Sequence, residues 1–170
     1  MAETKYGKYI IREPIEKGRM SPSIHLCAEE NCIGTQYPSF PAEITTVTVT
    51  QPTEMNPKPH AHEYDQFLCF YGPNPANPYE FDGEVEVYLG EEGEKHVIDT
   101  MSIVYLPKGL VHCPLKFTRV GKPIFFTHLC FHPTYTRSVG DMSGHPPHSS
   151  RTKFSTAEAD QLRGRAASAK

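Results

Sequence analysis

Short segments of alternating or β-branched residues dominate the first 131 positions of the chain. The segment Ile44–Thr50 is β-branched at every position, which suits a pleated and partly buried strand. Residues 84–89 (EVEVYL) alternate polar and apolar side chains, the pattern of a strand with one buried face. Similar segments predict strands at 60–71, 96–98, 102–106 and 124–131. Turn residues separate these segments and no long helical pattern occurs among them, so the sequence predicts an all-β sandwich or barrel.

The chain divides into three parts by composition. Residues 1–41 mix aromatic and turn residues, and we expect an N-terminal arm that supplies an edge strand. Residues 42–138 carry the strand patterns and form the predicted β-barrel. Residues 139–170 begin as a linker rich in proline and serine, and the capping-box pattern Ser155–Glu158 predicts one short C-terminal helix.

Composition narrows the classes of partner and the compartment. The 170 residues fit one domain, and 17 basic against 20 acidic residues give a net charge of −3, which argues against a nucleic-acid partner. No apolar segment reaches the roughly 18 residues that a membrane span needs. The first five residues have no apolar core behind them, unlike a signal peptide, so we expect a cytoplasmic protein. The five cysteines contain no CxxC pair, and we expect small core residues or free thiols.

Charge is unevenly distributed along the chain. Residues 80–94 contain seven acidic residues, whereas Thr100–Gly140 contains five basic residues and no acidic one. Two interpretations stay open at this point. The charges lie on two solvated faces of a sheet, or the basic stretch borders a pocket and attracts an anionic ligand.

Two histidines one residue apart, His60 and His62, give the strongest chemical signal. Alternate residues of a β-strand project from the same face, so both imidazoles can reach one metal ion. Gln66 lies four residues further on and shares that face in a regular strand, whereas Glu63 and Asp65 should point away. The third imidazole must then come from elsewhere in the chain.

The segment Pro107–His112 (PKGLVH) offers that third imidazole at a turn leading into a strand. Together the two segments resemble the two motifs of the cupin superfamily of small β-barrels. The first family motif has two histidines one residue apart, a carboxylate about four residues on and a later glycine; here these positions are His60, His62, Gln66 and Gly72. The second family motif is proline, any residue, glycine, two residues and histidine, which Pro107–His112 matches.

The resemblance implies a cupin-type double-stranded β-helix, or jelly-roll barrel, with a metal held by His60, His62, Gln66 and His112. Gln66 stands where the family has a glutamate. Three neutral imidazoles and a neutral amide would leave a divalent ion with its full +2 charge, which strengthens its pull on an anionic oxygen. Gln66 is either a metal ligand or a hydrogen-bond donor to a bound substrate or water. The expected cofactor is a divalent transition metal, Fe(II) before Ni, Mn, Zn or Cu, because imidazole does not choose among them.

Two side chains are candidates for catalytic proton transfer. Tyr64 has the same parity as His62, and its alternative role is that of a packing aromatic residue. His128 lies on the last predicted strand and reaches the site if that face lines the barrel; otherwise it is a hydrogen-bonded core histidine. A proline-rich loop at 72–82 could overhang the barrel mouth, which makes Tyr71 and Tyr79 candidate pocket residues.

Three functions are compatible with these residues. The first is a metal-dependent dioxygenase acting on a small substrate that is anionic or chelates through oxygen. The second is a metal-dependent isomerase or lyase in which the ion polarises a carbonyl and a side chain moves a proton. The third is a small-molecule-binding protein without turnover. The resemblance also implies a homodimer, because small cupin barrels often share an edge strand.

Overall fold

The computed structural model describes residues 6–16, 23–28, 35–37, 40–133 and 135. These residues form one short 3-10 helix, Gly7–Tyr9, and eleven β-strands. The strands are β1 (Ile15–Glu16), β2 (Ser23–Cys27), β3 (Thr35–Gln36), β4 (Glu43–Val49), β5 (Thr53–Met55), β6 (Gln66–Tyr71), β7 (Gly83–Leu89), β8 (Glu94–Ile98), β9 (Ser102–Leu106), β10 (His112–Val120) and β11 (Ile124–Cys130). The predicted C-terminal helix lies outside the described residues.

Strands β4 to β11 form two facing antiparallel sheets. One sheet has the order β4-β11-β6-β9 and the other the order β5-β10-β7-β8. Counted from β4, the first strand pairs with the eighth, the second with the seventh, the third with the sixth and the fourth with the fifth. A chain folded as a long antiparallel ribbon and then wound across two sheets gives this order, which is that of a jelly roll.

The N-terminal arm widens the first sheet. Strand β2 pairs antiparallel with β4, β1 pairs with the outer side of β2, and β3 runs parallel to β2. The described parts of the arm therefore add strands at the edge of this sheet. The expectation of free thiols is wrong for Cys27, which is disulfide-bonded, whereas Cys69, Cys113 and Cys130 are buried and form no disulfide. Cys32 lies outside the described residues.

The hydrophobic core lies between the two sheets. Strand alternation decides which side chains enter it: Val85 and Val87 of β7 are buried, while their neighbours Glu84, Glu86 and Tyr88 are only partly so. Phe70 from the first sheet is fully buried and stacks on Phe126 at a ring-centroid distance of 5.2 Å. Phe117 from the second sheet closes the cluster, 5.7 Å from Phe126.

The alternating segments were the easiest to predict. The predicted strands at 44–50, 84–89, 102–106 and 124–131 agree with β4, β7, β9 and β11 to within one residue at each end. The single strand predicted over 60–71 is wrong in its first half, because the chain bends at residues 63–64 and β6 starts only at Gln66. His60 instead forms an isolated antiparallel bridge with His112.

The proline-rich loop 72–82 lies at the end of the sheets opposite this bridge. His112 pairs with Leu89 at one end of the β7–β10 ladder, and Val120 pairs with Gly83 at the other. Because the loop leads directly into Gly83, it cannot overhang the histidines, and that expectation is wrong. Among the described residues, no helix has the length and apolar character needed to cross a membrane.

Candidate metal centre

Backbone pairing brings the two histidine segments together. The N–H of His60 donates to the carbonyl of His112 at 3.0 Å, and the N–H of His112 donates to the carbonyl of His60 at 2.9 Å. The N–H of Gly109 donates to the carbonyl of His62 at 2.8 Å. Three main-chain hydrogen bonds therefore align residues that lie about fifty positions apart in the sequence.

A tight turn at Pro107–Leu110 fixes the second segment. The N–H of Leu110 donates to the carbonyl of Pro107 at 3.1 Å, and Gly109, the third residue of the turn, has a φ of +81°. A type II turn needs positive φ at this position, which glycine adopts without the steric cost of a side chain. Asp65 supports the same turn, because its Oδ1 accepts the N–H of Lys108 at 2.8 Å.

Two of the three histidines have a tautomer set by the main chain. Nδ1 of His60 lies 2.9 Å from the carbonyl oxygen of Lys58, and Nδ1 of His112 lies 2.9 Å from that of Leu110. A carbonyl oxygen only accepts hydrogen bonds, so each Nδ1 carries the proton and each Nε2 presents its lone pair. Ligating histidines are commonly oriented by a hydrogen bond of this kind from the second ring nitrogen.

The three imidazoles converge in a buried cluster. One ligand nitrogen from each of His60, His62 and His112 lies within 4.8 Å of the other two. The rings are 2%, 2% and 4% exposed, so bulk water does not compete for these nitrogens. Three converging imidazoles, two of them with the Nε2 lone pair preset, suit a first-row transition metal such as Fe, Ni, Zn or Cu.

The acidic neighbours of the cluster point elsewhere, although no regular strand runs through residues 62–65. Glu63 forms an exposed ion pair with Lys108 at 3.0 Å, and Asp65 holds the turn. Among the described residues the metal-ligating cluster contains no carboxylate.

Gln66 and His128 form a hydrogen-bonded pair beside the cluster. Oε1 of Gln66 lies 2.8 Å from Nε2 of His128. Gln66 is 1% exposed, and its amide Nε2 has no hydrogen-bond partner among the described residues. Both side chains and His112 line one cavity of about 50 Å³. The His128 side of β11 therefore does face the interior, which was the condition for its predicted role.

A buried thiol stands next to this pair. Sγ of Cys130 lies 3.2 Å from Nε2 of His128. Burial, and to a smaller extent the charge of Glu43, raises the pKa of the Cys130 thiol well above its ordinary range. The thiol therefore stays protonated and neutral at physiological pH.

Aromatic rings enclose the ligand His62. Tyr64 is buried and stacks on His62 at 5.1 Å between ring centroids, and its other neighbour is His132 at 4.9 Å. Tyr64 is absent from the walls of the cavity, so its proposed proton transfer stays a prediction. Tyr135 contacts both His62 (4.9 Å) and His128 (5.6 Å) and lines the cavity.

Tyr135 is an aromatic wall residue that sequence reasoning missed, and Met55 and Asn56 are two other missed wall residues. Tyr135 follows the last strand in a stretch with no alternating pattern, so no periodic signal marked it. The candidates Tyr71 and Tyr79 do not line the cavity: Tyr79 is 89% exposed on the distal loop, and Tyr71 ends β6 away from the histidines.

The basic residues do not border this cavity. Arg119 pairs with Asp82 and Lys122 with Glu80, both at the end of the sheets opposite the histidines. Hydrogen bonds from Lys122 and Asn74 lower the pKa of Glu80, as expected for a paired surface carboxylate. The described charges therefore favour two paired, solvated surfaces, and Arg137 lies outside the described residues.

The decisive observation is the place of the histidines within the topology. An eight-stranded jelly roll carries His60 and His62 just before its third strand and His112 at the start of its seventh, and the three meet at one end between the sheets. The chain has the cupin fold. This confirms the fold that the two sequence motifs imply. It also confirms the all-β class.

Comparisons with known proteins found distant likenesses in structure. No family model matches the chain, and no curated protein matches it. A mutant of oxalate decarboxylase from Bacillus subtilis is 17% identical, with a TM-score of 0.44, over 78% of this chain and 31% of its own. The Fe(II) form of HppE is 13% identical, with a TM-score of 0.42, over 69% and 55%. A putative ethanolamine utilization protein Q from Salmonella typhimurium is 14% identical, with a TM-score of 0.39, over 68% and 72%.

Proposed function

We propose that this cupin is a metal-dependent dioxygenase for a small substrate that binds the metal through anionic or chelating oxygen atoms. The observation that carries the proposal is the buried cluster of His60, His62 and His112, with two lone pairs preset by the main chain. A cavity opens beside His112, so a small ligand can approach a metal held there. The proposed ion is Fe(II), which when bound would supply the redox chemistry that activates a chelated substrate toward O₂.

In this proposal the protein residues bind the metal ion and enclose the substrate. The three histidines hold the ion, and the apolar walls Leu68, Leu115 and Phe126 limit the cavity to a small substrate. His128 is one of the polar residues of the wall, and its Nε2 lies 2.8 Å from Oε1 of Gln66. Gln66 adds an uncharged amide beside it.

A second candidate is a metal-dependent isomerase or lyase. His128 favours it, because an imidazole inside the cavity is a suitable group for moving a proton on a polarised substrate. The two candidates differ in whether O₂ is consumed, and in the metal that supports turnover.

Elemental analysis followed by O₂ uptake tests the proposal. The full chain is purified without a histidine tag or chelator and assayed with small diketones, catechols and hydroxy acids. About one Fe per chain with substrate-dependent O₂ uptake, both lost in His112→Ala, is the expected result. Zn or Mn without O₂ uptake would support the second candidate. Absence of metal after reconstitution would overturn both.

A further inference from the structure

We propose that Gln66 is a hydrogen-bond donor to a metal-bound anion and not a metal ligand, with His128 as the residue that sets its orientation. This inference rests on the proposed function, since it assumes a metal at the three histidines. It concerns the side chain that replaces the family's carboxylate, and it assigns an oxyanion subsite to the cavity.

The oxygen and the nitrogen of the Gln66 amide differ in their hydrogen bonding. Its Oε1 lies 2.8 Å from Nε2 of His128. An amide oxygen only accepts, so His128 donates its Nε2 proton to it. The two amide N–H groups are then the polar groups left over, and their nitrogen is buried without a hydrogen-bond partner among the described residues.

A buried donor without an acceptor is costly, by roughly 1–3 kcal/mol from mutational studies. A ligand that accepts a hydrogen bond at this place removes that cost. Gln66 lines the same cavity as His112, so an anion bound to a metal at the histidines would share this cavity with the amide. A carboxylate or enolate oxygen satisfies both groups at once, because it can bind the metal and accept an N–H.

In this inference the side chain of His128 sets the orientation of the Gln66 amide. Its ring is fixed between Gln66, the Cys130 thiol at 3.2 Å and the Tyr135 ring at 5.6 Å. If His128 lost its donor, the amide could turn its oxygen toward the metal and become a ligand. His128 is thus a positioning residue in this inference.

The test uses the Co(II)-loaded full chain, with visible absorption as the readout and two probes as ligands. Acetate is an anion that can accept a hydrogen bond when bound to a metal. Imidazole is a neutral metal ligand with no further acceptor, and it serves as the matched probe. The parent protein should bind both with a change in the Co(II) bands.

Gln66→Met removes the donor and keeps the length of the side chain. We expect unchanged Co(II) content, unchanged imidazole affinity and acetate affinity lower by about tenfold or more, as for hydrogen bonds to charged groups. Gln66→Glu should hold Co(II) more tightly and bind acetate more weakly still. Gln51→Met, the same change at an exposed glutamine outside the cavity, is the control and should leave both affinities unchanged.

His128→Leu and His128→Gln test the positioning. The leucine variant should lower acetate affinity relative to imidazole affinity, and the glutamine variant, which can still donate to Oε1, should restore part of it. A structural role alone would lower both affinities together in both variants.

The measurements distinguish a failure of the proposed function from a failure of this inference. A parent protein that takes up no Co(II) overturns the proposed function. A parent that binds Co(II) and acetate, with Gln66→Met equal to it for both probes, overturns only the inference. Loss of Co(II) from Gln66→Met shows that the amide is a ligand through its oxygen, and this also overturns the inference.

Discussion

Replacing His112 by alanine should remove most of the stabilisation that a metal gives to the fold. The His112 imidazole is one of three converging donors, and its ring lies 4.6 Å from the ring of His60 and 5.2 Å from that of His62. Changing a group that only supports a ligand costs about 10–100-fold in metal affinity. We therefore expect loss of a ligand itself to weaken binding by about 100-fold or more.

Linkage converts that loss into a thermal shift. A metal at 100 times its dissociation constant stabilises the parent by about 2.7 kcal/mol, and the same concentration stabilises a 100-fold weaker variant by only about 0.4 kcal/mol. For a chain of this size, these values correspond to increases in Tm of roughly 5–11 °C and roughly 1 °C. The assay is thermal unfolding of each protein with and without metal. Each shift is taken from that variant's own metal-free form, because the alanine also leaves a cavity.

The matched control is His96→Ala. His96 is an exposed histidine of β8 that pairs with Glu94 on the same strand, and β8 lies two strands from β10 in the sheet order. It should keep the full shift of the parent. The assignment of the centre is refuted if His112→Ala shows the same metal-induced shift as His96→Ala.

Three further outcomes are expected from the fold. Gly109→Ala and Gly93→Ala each place a side chain at positive φ with no atom in the way, so each should lower the free energy of unfolding by about 1–2 kcal/mol. Only Gly109→Ala should also weaken metal binding, because the N–H of residue 109 holds the carbonyl of His62. Equal metal affinities in the two variants would contradict the role of this turn. Phe70→Ala should cost about 3–5 kcal/mol in a urea titration because the ring is fully buried, and a loss below about 1 kcal/mol would contradict the core. Iodoacetamide at about pH 8 should leave Cys130 unmodified in the native protein and label it in urea, because burial keeps the thiol protonated. Labelling is measured by peptide mass spectrometry, and equal labelling in both states would contradict this prediction.

The sequence was most informative where one physical rule acts alone. Alternation predicted β7 and β9 closely, because each has one face toward the core and one toward solvent. The histidine motifs predicted the cluster, although the strand assumed for the first motif was wrong. His60 and His62 converge through main-chain hydrogen bonds to the second segment and not through a shared strand face.

Features that depend on tertiary placement could not be read from local patterns. Loop 72–82 was expected to overhang the barrel mouth because it lengthens the spacer between the two histidine motifs. Six residues of β6 carry the chain to the other end of the sheet before the loop begins. Tyr135 was missed for the converse reason, since the fold returns the chain to the histidines just after β11 ends.

The neutrality of the centre has a chemical consequence. Glu63 and Asp65 are the nearest acidic residues in sequence, and one pairs with Lys108 while the other accepts a main-chain N–H. A divalent ion held by His60, His62 and His112 would therefore keep its +2 charge in a buried site, and an unbalanced charge in such a place is costly. A bound anion is the simplest way to balance it. The inferred donor role of Gln66 follows the same logic, because an amide N–H that faces the cavity favours an anionic oxygen over a neutral ligand. Gln66 stands where the motif that the sequence resembles has a carboxylate, so the protein does not supply this negative charge. We therefore expect selectivity for anions to depend on Gln66 and metal retention to depend on the histidines.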